Sequence, residues 1–271
     1  MNREFGVEII ATGNEIVYGR IVDTNSSWIA QRTAEEGGRV TRIGAVGDNI
    51  QEIKAIVTEA LSHTCDMILI SGGLGPTFDD ITTEGVAQAL GRKTELNQSS
   101  LKVLKEKYEA ISRIRKISIE LTPQRQKMAR ILQGSEPVPN EIGLAVGMTT
   151  TVDNKTIFVL PGVPAEMKNM FEKYVVPEIR SKSGRQTRVQ SVRVSMPTYG
   201  QLSPIVEQIM KQHPDTLIKT YAADIHATQG MKVDLLATGK TDQTCHEILR
   251  EMITALENQI SSIGGAVRHI K

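Results

Sequence analysis

Short apolar runs alternate with helix-periodic segments over the first two-thirds of the chain. Val7–Ile10 reads as a strand and leads into Ala11-Thr12-Gly13-Asn14-Glu15. Asp23 or Thr24 then caps a helix that sets Trp28, Ile29, Thr33 and Ala34 at helical spacing. Gly37-Gly38 ends this helix, and Val40–Val46 forms a second strand. Asp48-Asn49-Ile50-Gln51 opens another helix, with Ile53, Ile56, Val57 and Leu61 on one face. Cys65–Ile70 is a third strand and Ile81–Leu90 the helix beyond it. Alternation of this kind predicts an α/β domain whose parallel sheet is covered by helices on both faces. Residues 97–133 break the rhythm with charged helical sequence, read as two helices separated before Thr122-Pro123 and lying over one sheet edge. Val138–Val152 and Lys155–Leu160 follow as strands, with Asp153-Asn154 as the turn between them. Val163, Met167, Met170, Phe171, Tyr174 and Val175 then mark one face of a strong helix.

Ser181–Thr187 is polar and reads as a linker. Beyond it the order changes to strand Val189–Ser195, a helix near Gln201–Lys211, strands Thr216–Thr220 and Met231–Ala237, and helix Gln243–Ile260. That order predicts a small α+β domain, KH-like or ferredoxin-like. The expected domains are therefore 1–181 and 187–271.

Composition narrows the function classes. The chain has 271 residues and a net charge of +1, so nothing in its overall charge calls for nucleic acid or a membrane. Local basic patches are compatible with that balance. Aromatic residues make up 4%, which argues against a base-stacking platform. No apolar run reaches the roughly 18 residues of a membrane helix, and the first residues lack a signal-peptide core. A cytoplasmic protein is expected, with Cys65 and Cys245 as buried thiols rather than a disulfide or metal pair. His63, His213, His226, His246 and His269 fall at no metal or triad spacing.

The chemistry concentrates at strand ends. Ser-Gly-Gly-Leu-Gly-Pro-Thr-Phe-Asp-Asp at 71–80 follows the third strand. Phe78 stands where a dinucleotide fingerprint needs its third glycine, so a Rossmann reading fails. Gly72, Gly73, Gly75 and Thr77 still suit a phosphate cradle, since small residues let backbone N–H groups reach an anion. Ligands of open α/β sheets bind at such carboxyl ends. One of Asp79 and Asp80 can cap the following helix; the other is suited to Mg²⁺ beside a phosphate. Asp48 follows the second strand, where it either caps a helix or joins the same metal. Glu15 completes a candidate acidic rim, and Gly162 in Leu-Pro-Gly-Val-Pro repeats the strand-to-helix device. Gly239-Lys240-Thr241 imitates a Walker A ending, but Asp234 occupies the position of its first glycine.

The stretch Gly72–Gly91 closely resembles the signature of the molybdopterin-binding fold of molybdenum-cofactor biosynthesis proteins. Further matches resemble the amino-terminal part of the competence-damage-inducible CinA family: Thr12–Ala30, Val46–Asn49, Lys127–Ala129, Asn140–Met148 and Val159–Met167. The resemblance implies a three-layer α/β/α domain, usually in a dimer or trimer. It implies Asp48 and Asp80 as catalytic residues and ligands of a divalent metal such as Mg²⁺. It also adds Gly13, Lys127 and Asn140 to the candidate substrate-binding set of Glu15, Gly72, Gly73, Gly75, Thr77, Asp79 and Gly162. The implied activity is metal-dependent hydrolysis of ADP-ribose to AMP and ribose 5-phosphate. The alternative is a protein that binds molybdopterin or a nucleotide without turnover. Longer relatives carry a carboxyl-terminal nicotinamide mononucleotide deamidase domain, which is not expected within these residues. This chain lacks both prolines usual in the Asn140–Gly147 stretch and has Asn14 where relatives carry Asp or Thr before the Glu.

Overall fold

The computed structural model describes residues 4–196, 199–221 and 230–270, so His226 lies outside the described residues. The chain divides into two units, residues 1–33 with 38–182, and residues 34–37 with 183–271.

In the first unit the chain order is β1 (Gly6–Thr12), α1 (Asn14–Val17), α2 (Thr24–Glu35), β2 (Arg39–Val46), α3 (Ile50–Ser62), β3 (Met67–Ser71) and α4 (Thr82–Ala89). It continues through β4 (Thr94–Leu96), α5 (Gln98–Arg115), α6 (Pro123–Gln126), β5 (Arg130–Leu132), β6 (Glu136–Val138), β7 (Gly147–Val152) and β8 (Lys155–Leu160). The last helix is α7 (Pro164–Met170), which passes through a π-helical turn at Phe171–Val175 into α8 (Val176–Ser183). One six-stranded sheet runs β2-β1-β3-β8-β7-β6. The first four strands are mutually parallel, and β7 and β6 return antiparallel.

Every residue of β1 and β3 is buried, as expected of central parallel strands covered on both faces. Alternation divides their side chains. Ile10, Ile68, Ile70, Ile157 and Val159 pack with Ile53, Val57 and Val86 on one face. Ile9, Met67, Leu69, Phe158 and Leu160 pack with Ile29, Met167, Phe171 and Ile179 on the other. Two cores on one sheet make the three layers, and the mostly parallel α/β/α domain is the one expected.

Several local readings change. Val138–Val152 is not one strand, because a loop at 139–146 separates β6 from β7. The second helix of 97–133 shrinks to the single turn of α6, and β5 pairs with β4 in a separate two-stranded sheet. The Asp153-Asn154 turn stands, both residues holding left-handed φ values of 47° and 65°. The polar linker largely disappears: α8 reaches Ser183, and Thr187 is a buried strand residue.

The second unit is β9 (Gln186–Ser195), α9 (Leu202–Gln212), β10 (Thr216–Thr220), β11 (Met231–Gly239), α10 (Asp242–Ser262) and β12 (Ala266–His269). Its antiparallel sheet runs β10-β11-β9-β12, the split βαβ arrangement of ferredoxin-like domains. β12 is four residues long and mostly exposed, so it carries little periodic signal.

Candidate functional site

β1, β3 and β8 are parallel and end together, and the loops leaving their carboxyl ends surround a cavity of about 450 Å³. Of the expected residues, Glu15, Gly72, Gly73, Gly75, Asp80 and Gly162 line it. Gly72 and Gly73 adopt φ of 121° and 62°, a region that favours glycine. A Cβ at Gly72 would lie 2.2 Å from the Thr12 carbonyl oxygen, and one at Gly73 would lie 2.1 Å from Thr82 Oγ1. The two glycines therefore let the loop press against β1 and the start of α4. The Gly72 N–H donates to Leu160 O on β8, and hydrogen bonds within the loop use the N–H groups of Thr77, Asp80 and Thr82. Those of Gly73, Leu74 and Gly75 donate to no protein acceptor among the described residues.

Neither adjacent aspartate caps α4. The cap position is Ile81, without a side-chain bond. Instead Asp80 Oδ2 accepts from Thr77 N at 2.8 Å and from Thr77 Oγ1 at 2.5 Å, while Asp79 Oδ1 faces the same hydroxyl. Both carboxylates brace the turn from Thr77 to Asp80, which corrects the expectation that one of the two caps the helix. Thr77 and Asp79 stand off the cavity wall, and Lys127 Nζ reaches the Thr77 carbonyl at 3.2 Å.

Asp48 is freed from capping in the same way. The cap of α3 is Asn49, whose side chain accepts from Gln51 N and Glu52 N. Asp48 Oδ2 accepts from Asn14 N at 2.9 Å, and Asn14 Oδ1 accepts from Asp48 N at 3.2 Å. This reciprocal pair ties the end of β2 to the turn after β1, where Gly13 N donates to Val46 O at 3.0 Å. Burial, then repulsion from Glu15, Asp79 and Asp80, raises the Asp48 carboxyl above its ordinary range, against the pull of the Asn14 N–H. None of these four carboxylates has an ion-pair partner among the described residues.

No three His, Cys, Asp or Glu side chains converge as metal ligands among the described residues. Asp48 and Asp80 thus offer at most a two-carboxylate site. Mg²⁺ is commonly held that way when phosphate oxygens and waters complete its shell, and uncompensated negative charge fits such an ion.

Asn140 is buried and works through the loop it opens. Its Oδ1 accepts from Ile142 N and Gly143 N, and its Nδ2 donates to Ala145 O and to Glu166 Oε2 at 2.6 Å. Lys107 Nζ donates to the carbonyls of Asn140 and Gly143 from the other side, and burial lowers its pKa against the pull of Glu166 and Glu141. This bracing holds Gly143, Leu144 and Ala145 in the cavity wall.

Sequence reasoning missed Asn25, Ser71, Tyr108 and Glu166, all in that wall. Asn25 Nδ2 donates to Gly162 O at 2.8 Å and to Ser71 Oγ at 3.3 Å, and Ser71 Oγ donates to Pro161 O at 3.2 Å. Asn25 Oδ1 is buried without a hydrogen-bond partner. Asn25 follows Asp23, whose carboxylate accepts from Ser26 N at 2.9 Å, so its local signal was that of a helix start.

Residues 8–181 match the family described as probable molybdopterin binding domain. A protein of Pyrococcus horikoshii is 38% identical over 247 residues, covering 90% of this chain and 92% of its own. One of Metallosphaera sedula is 32% identical over 268 residues, covering 98% of each. Among solved structures, CinA of Thermoplasma acidophilum, described as of unknown function, is 36% identical with a TM-score of 0.59. It covers 65% of this chain and 98% of its own. With the family matched across β1 to α8 and the cavity formed by the loops of that same stretch, the chain belongs to the molybdopterin-binding domain family.

Proposed function

We propose that the first unit binds a phosphorylated heterocycle, a pterin or a nucleotide, in the cavity at the ends of β1, β3 and β8. The observation that carries this reading is the run of unengaged N–H groups at Gly73, Leu74 and Gly75 in a cavity edged by carboxylates. Those N–H groups would take the phosphate oxygens, and about 450 Å³ accommodates a ring with its sugar or side chain. Family membership favours the same class of ligand.

A second reading, hydrolysis of a diphosphate such as ADP-ribose, is favoured by the acidic rim. Asp48 and Asp80 would hold a divalent cation, which when bound supplies charge neutralisation and polarisation of the phosphoryl group. Glu15 would orient a water or a ribose hydroxyl, and the glycine N–H groups would stabilise the phosphoryl oxygens. The water oxygen joins one phosphorus while the bridging P–O bond breaks, giving AMP and ribose 5-phosphate.

The two readings separate in one set of measurements. Calorimetric titration with AMP and with a phosphorylated pterin, with and without Mg²⁺, tests binding. AMP release from ADP-ribose with Mg²⁺, Mn²⁺ or Co²⁺, beside Asp80→Ala, tests turnover. Binding without release supports the first reading alone. Metal-dependent release abolished by Asp80→Ala supports the second. Absence of both overturns the cavity as a phosphate site.

A further inference from the structure

Tyr108 sits where a phenylalanine would pack as well. Leu101, Leu104 and Tyr108 recur at spacings of three and four along α5, which sets them on one buried stripe. Tyr108 joins Leu74, Met128 and Ala145 in one apolar cluster, with Leu144 packed against it. All five also line the cavity at the ends of β1, β3 and β8, so they form its apolar wall. The ring is held in place by a cation: the Arg125 guanidinium lies 5.3 Å from its centroid, and Arg125 Nη1 donates to Glu120 O.

Packing explains the ring but not the hydroxyl. Tyr108 is only 9% exposed, and its hydroxyl has no hydrogen-bond partner among the described residues. Nor is that hydroxyl sealed off, since the fully enclosed atoms without partners lie on Asn25, Ser26, Thr33, Glu84 and Asn169. What remains accessible of Tyr108 therefore includes its polar end. Burial raises its pKa against the pull of Arg125, so the phenol keeps its proton at neutral pH and is available as a donor. Before a ligand binds, solvent can serve such a group. A ligand that expels the water must bring an acceptor of its own or leave the phenol unpaired in an apolar wall. Sites built in this way reject ligands that lack the matching group.

We propose that Tyr108 is a specificity-determining residue of this cavity, its hydroxyl donating to a ring nitrogen or ring carbonyl on the edge of the bound heterocycle. The inference rests on the phosphorylated-heterocycle reading of the cavity and adds the group that selects the ring. The N–H groups of Gly73, Leu74 and Gly75 take the phosphate, the wall of Leu144 and Met128 takes the flat faces, and the phenol reads the edge. Tyr108 also borders a second hollow, lined by Lys105, Glu109, Ser112 and Arg113, and a hydroxyl directed there would leave binding in the cavity untouched.

The test is calorimetric titration of the full chain and of Tyr108→Phe with AMP, a phosphorylated pterin and ribose 5-phosphate. The variant keeps the ring and its packing, so its urea midpoint should match that of the unaltered chain. Its affinity for the ring-bearing ligand should fall about tenfold, the effect of one hydrogen bond left unmade. Ribose 5-phosphate has no ring and should bind both proteins equally. Where AMP binds, analogues with one ring nitrogen replaced by CH locate the acceptor. One of them should bind the unaltered chain about tenfold more weakly than AMP and lose nothing further with Tyr108→Phe. Equal binding of the ring-bearing ligands by both proteins overturns the inference and leaves the cavity reading standing. An equal loss for ribose 5-phosphate, or losses that add for every analogue, also overturns it, because the hydroxyl then acts on the phosphate or through the fold. A lowered urea midpoint overturns it in favour of a partner within the protein. No binding of any of the three by the unaltered chain overturns the cavity reading and this inference with it.

Discussion

The carboxylates around Asp48 and the cations around Arg193, which register sets between Lys232 on β11 and Arg268 on β12, both gather like charges, and the fold treats them differently. None of the four carboxylates has an ion-pair partner among the described residues, whereas Lys232 pairs with Asp234 at 3.2 Å and Arg193 donates to Gly230 O at 2.9 Å. The supports differ. In the first unit the charges sit on loops at the ends of buried parallel strands, curled around a cavity by glycines at positive φ. In the second they stand on the strands themselves, in one straight rung whose Arg193 and Lys232 are half-buried. Loops at strand ends build a concave site for a small ligand, whereas Arg193 and Lys232 of the rung find acceptors within their own unit. Carboxylates left without partners around a cavity call for a counter-charge from outside, and Lys232 and Arg193 do not.

The sharpest way to break the cavity half of this comparison is Gly72→Val. The substitution forces a β-branched residue to a φ of 121° with its Cβ 2.2 Å from the Thr12 carbonyl oxygen. Roughly 3 kcal/mol or more of stability should be lost, read as a shift of the urea midpoint. Phosphate-ligand binding should vanish with it. An unchanged midpoint would show that the loop does not depend on this close approach.

Lys107→Met probes the wall opposite the glycine loop. It leaves the carbonyls of Asn140 and Gly143 without their buried donor, which costs about 1–3 kcal/mol. Gly143–Ala145 should lose its fixed position, so ligand affinity should fall more than stability alone explains. Hydrogen exchange at 143–146 measures the loosening directly. Next in size is Asn25→Ala, which removes the donors to Gly162 O and Ser71 Oγ and should cost about 1 kcal/mol. It should weaken ligand binding without changing metal dependence, because Asn25 lies on the side of Gly162 rather than of Asp48.

These residues also mark what the sequence made legible. The parallel sheet was readable because Met67–Ile70 of β3 and Ile157–Leu160 of β8 are continuous apolar runs and β1 is broken only by Glu8. Gly72, Gly73, Gly75 and Asp80 were readable because rigid small residues and acids at a strand end have few other uses. Asn25, Glu166 and Lys107 were not, since each looks like an ordinary helix residue until folding brings it across the cavity. The capping roles failed for local reasons: Asn49 takes the first N–H groups of α3 in place of Asp48, and Asp79 and Asp80 accept from Thr77 instead of capping α4. The cationic rung was hidden differently. Arg193, Lys232 and Arg268 are far apart in sequence, and only register makes them neighbours.

The smallest effect discriminates best, because it reads the acidic rim without destroying it. Burial and the surrounding carboxylates raise the Asp48 pKa above 3.8, so the folded chain binds a proton there more readily than the unfolded one. Between the unfolded and the raised folded value, stability therefore falls as pH rises, and above both the full penalty of the charge is present. Asp48→Asn should raise the melting temperature slightly at neutral pH, and the gain should shrink as pH falls through the raised folded value towards the unfolded one. The half-buried setting keeps the gain small. If Asp48 and Asp80 hold a cation, Mg²⁺ should raise the melting temperature of the unaltered chain and remove most of the difference from Asp48→Asn. Should the variant gain nothing at neutral pH, the rim carries no electrostatic strain for a cation to relieve, and the contrast with the Arg193 rung loses one of its two sides.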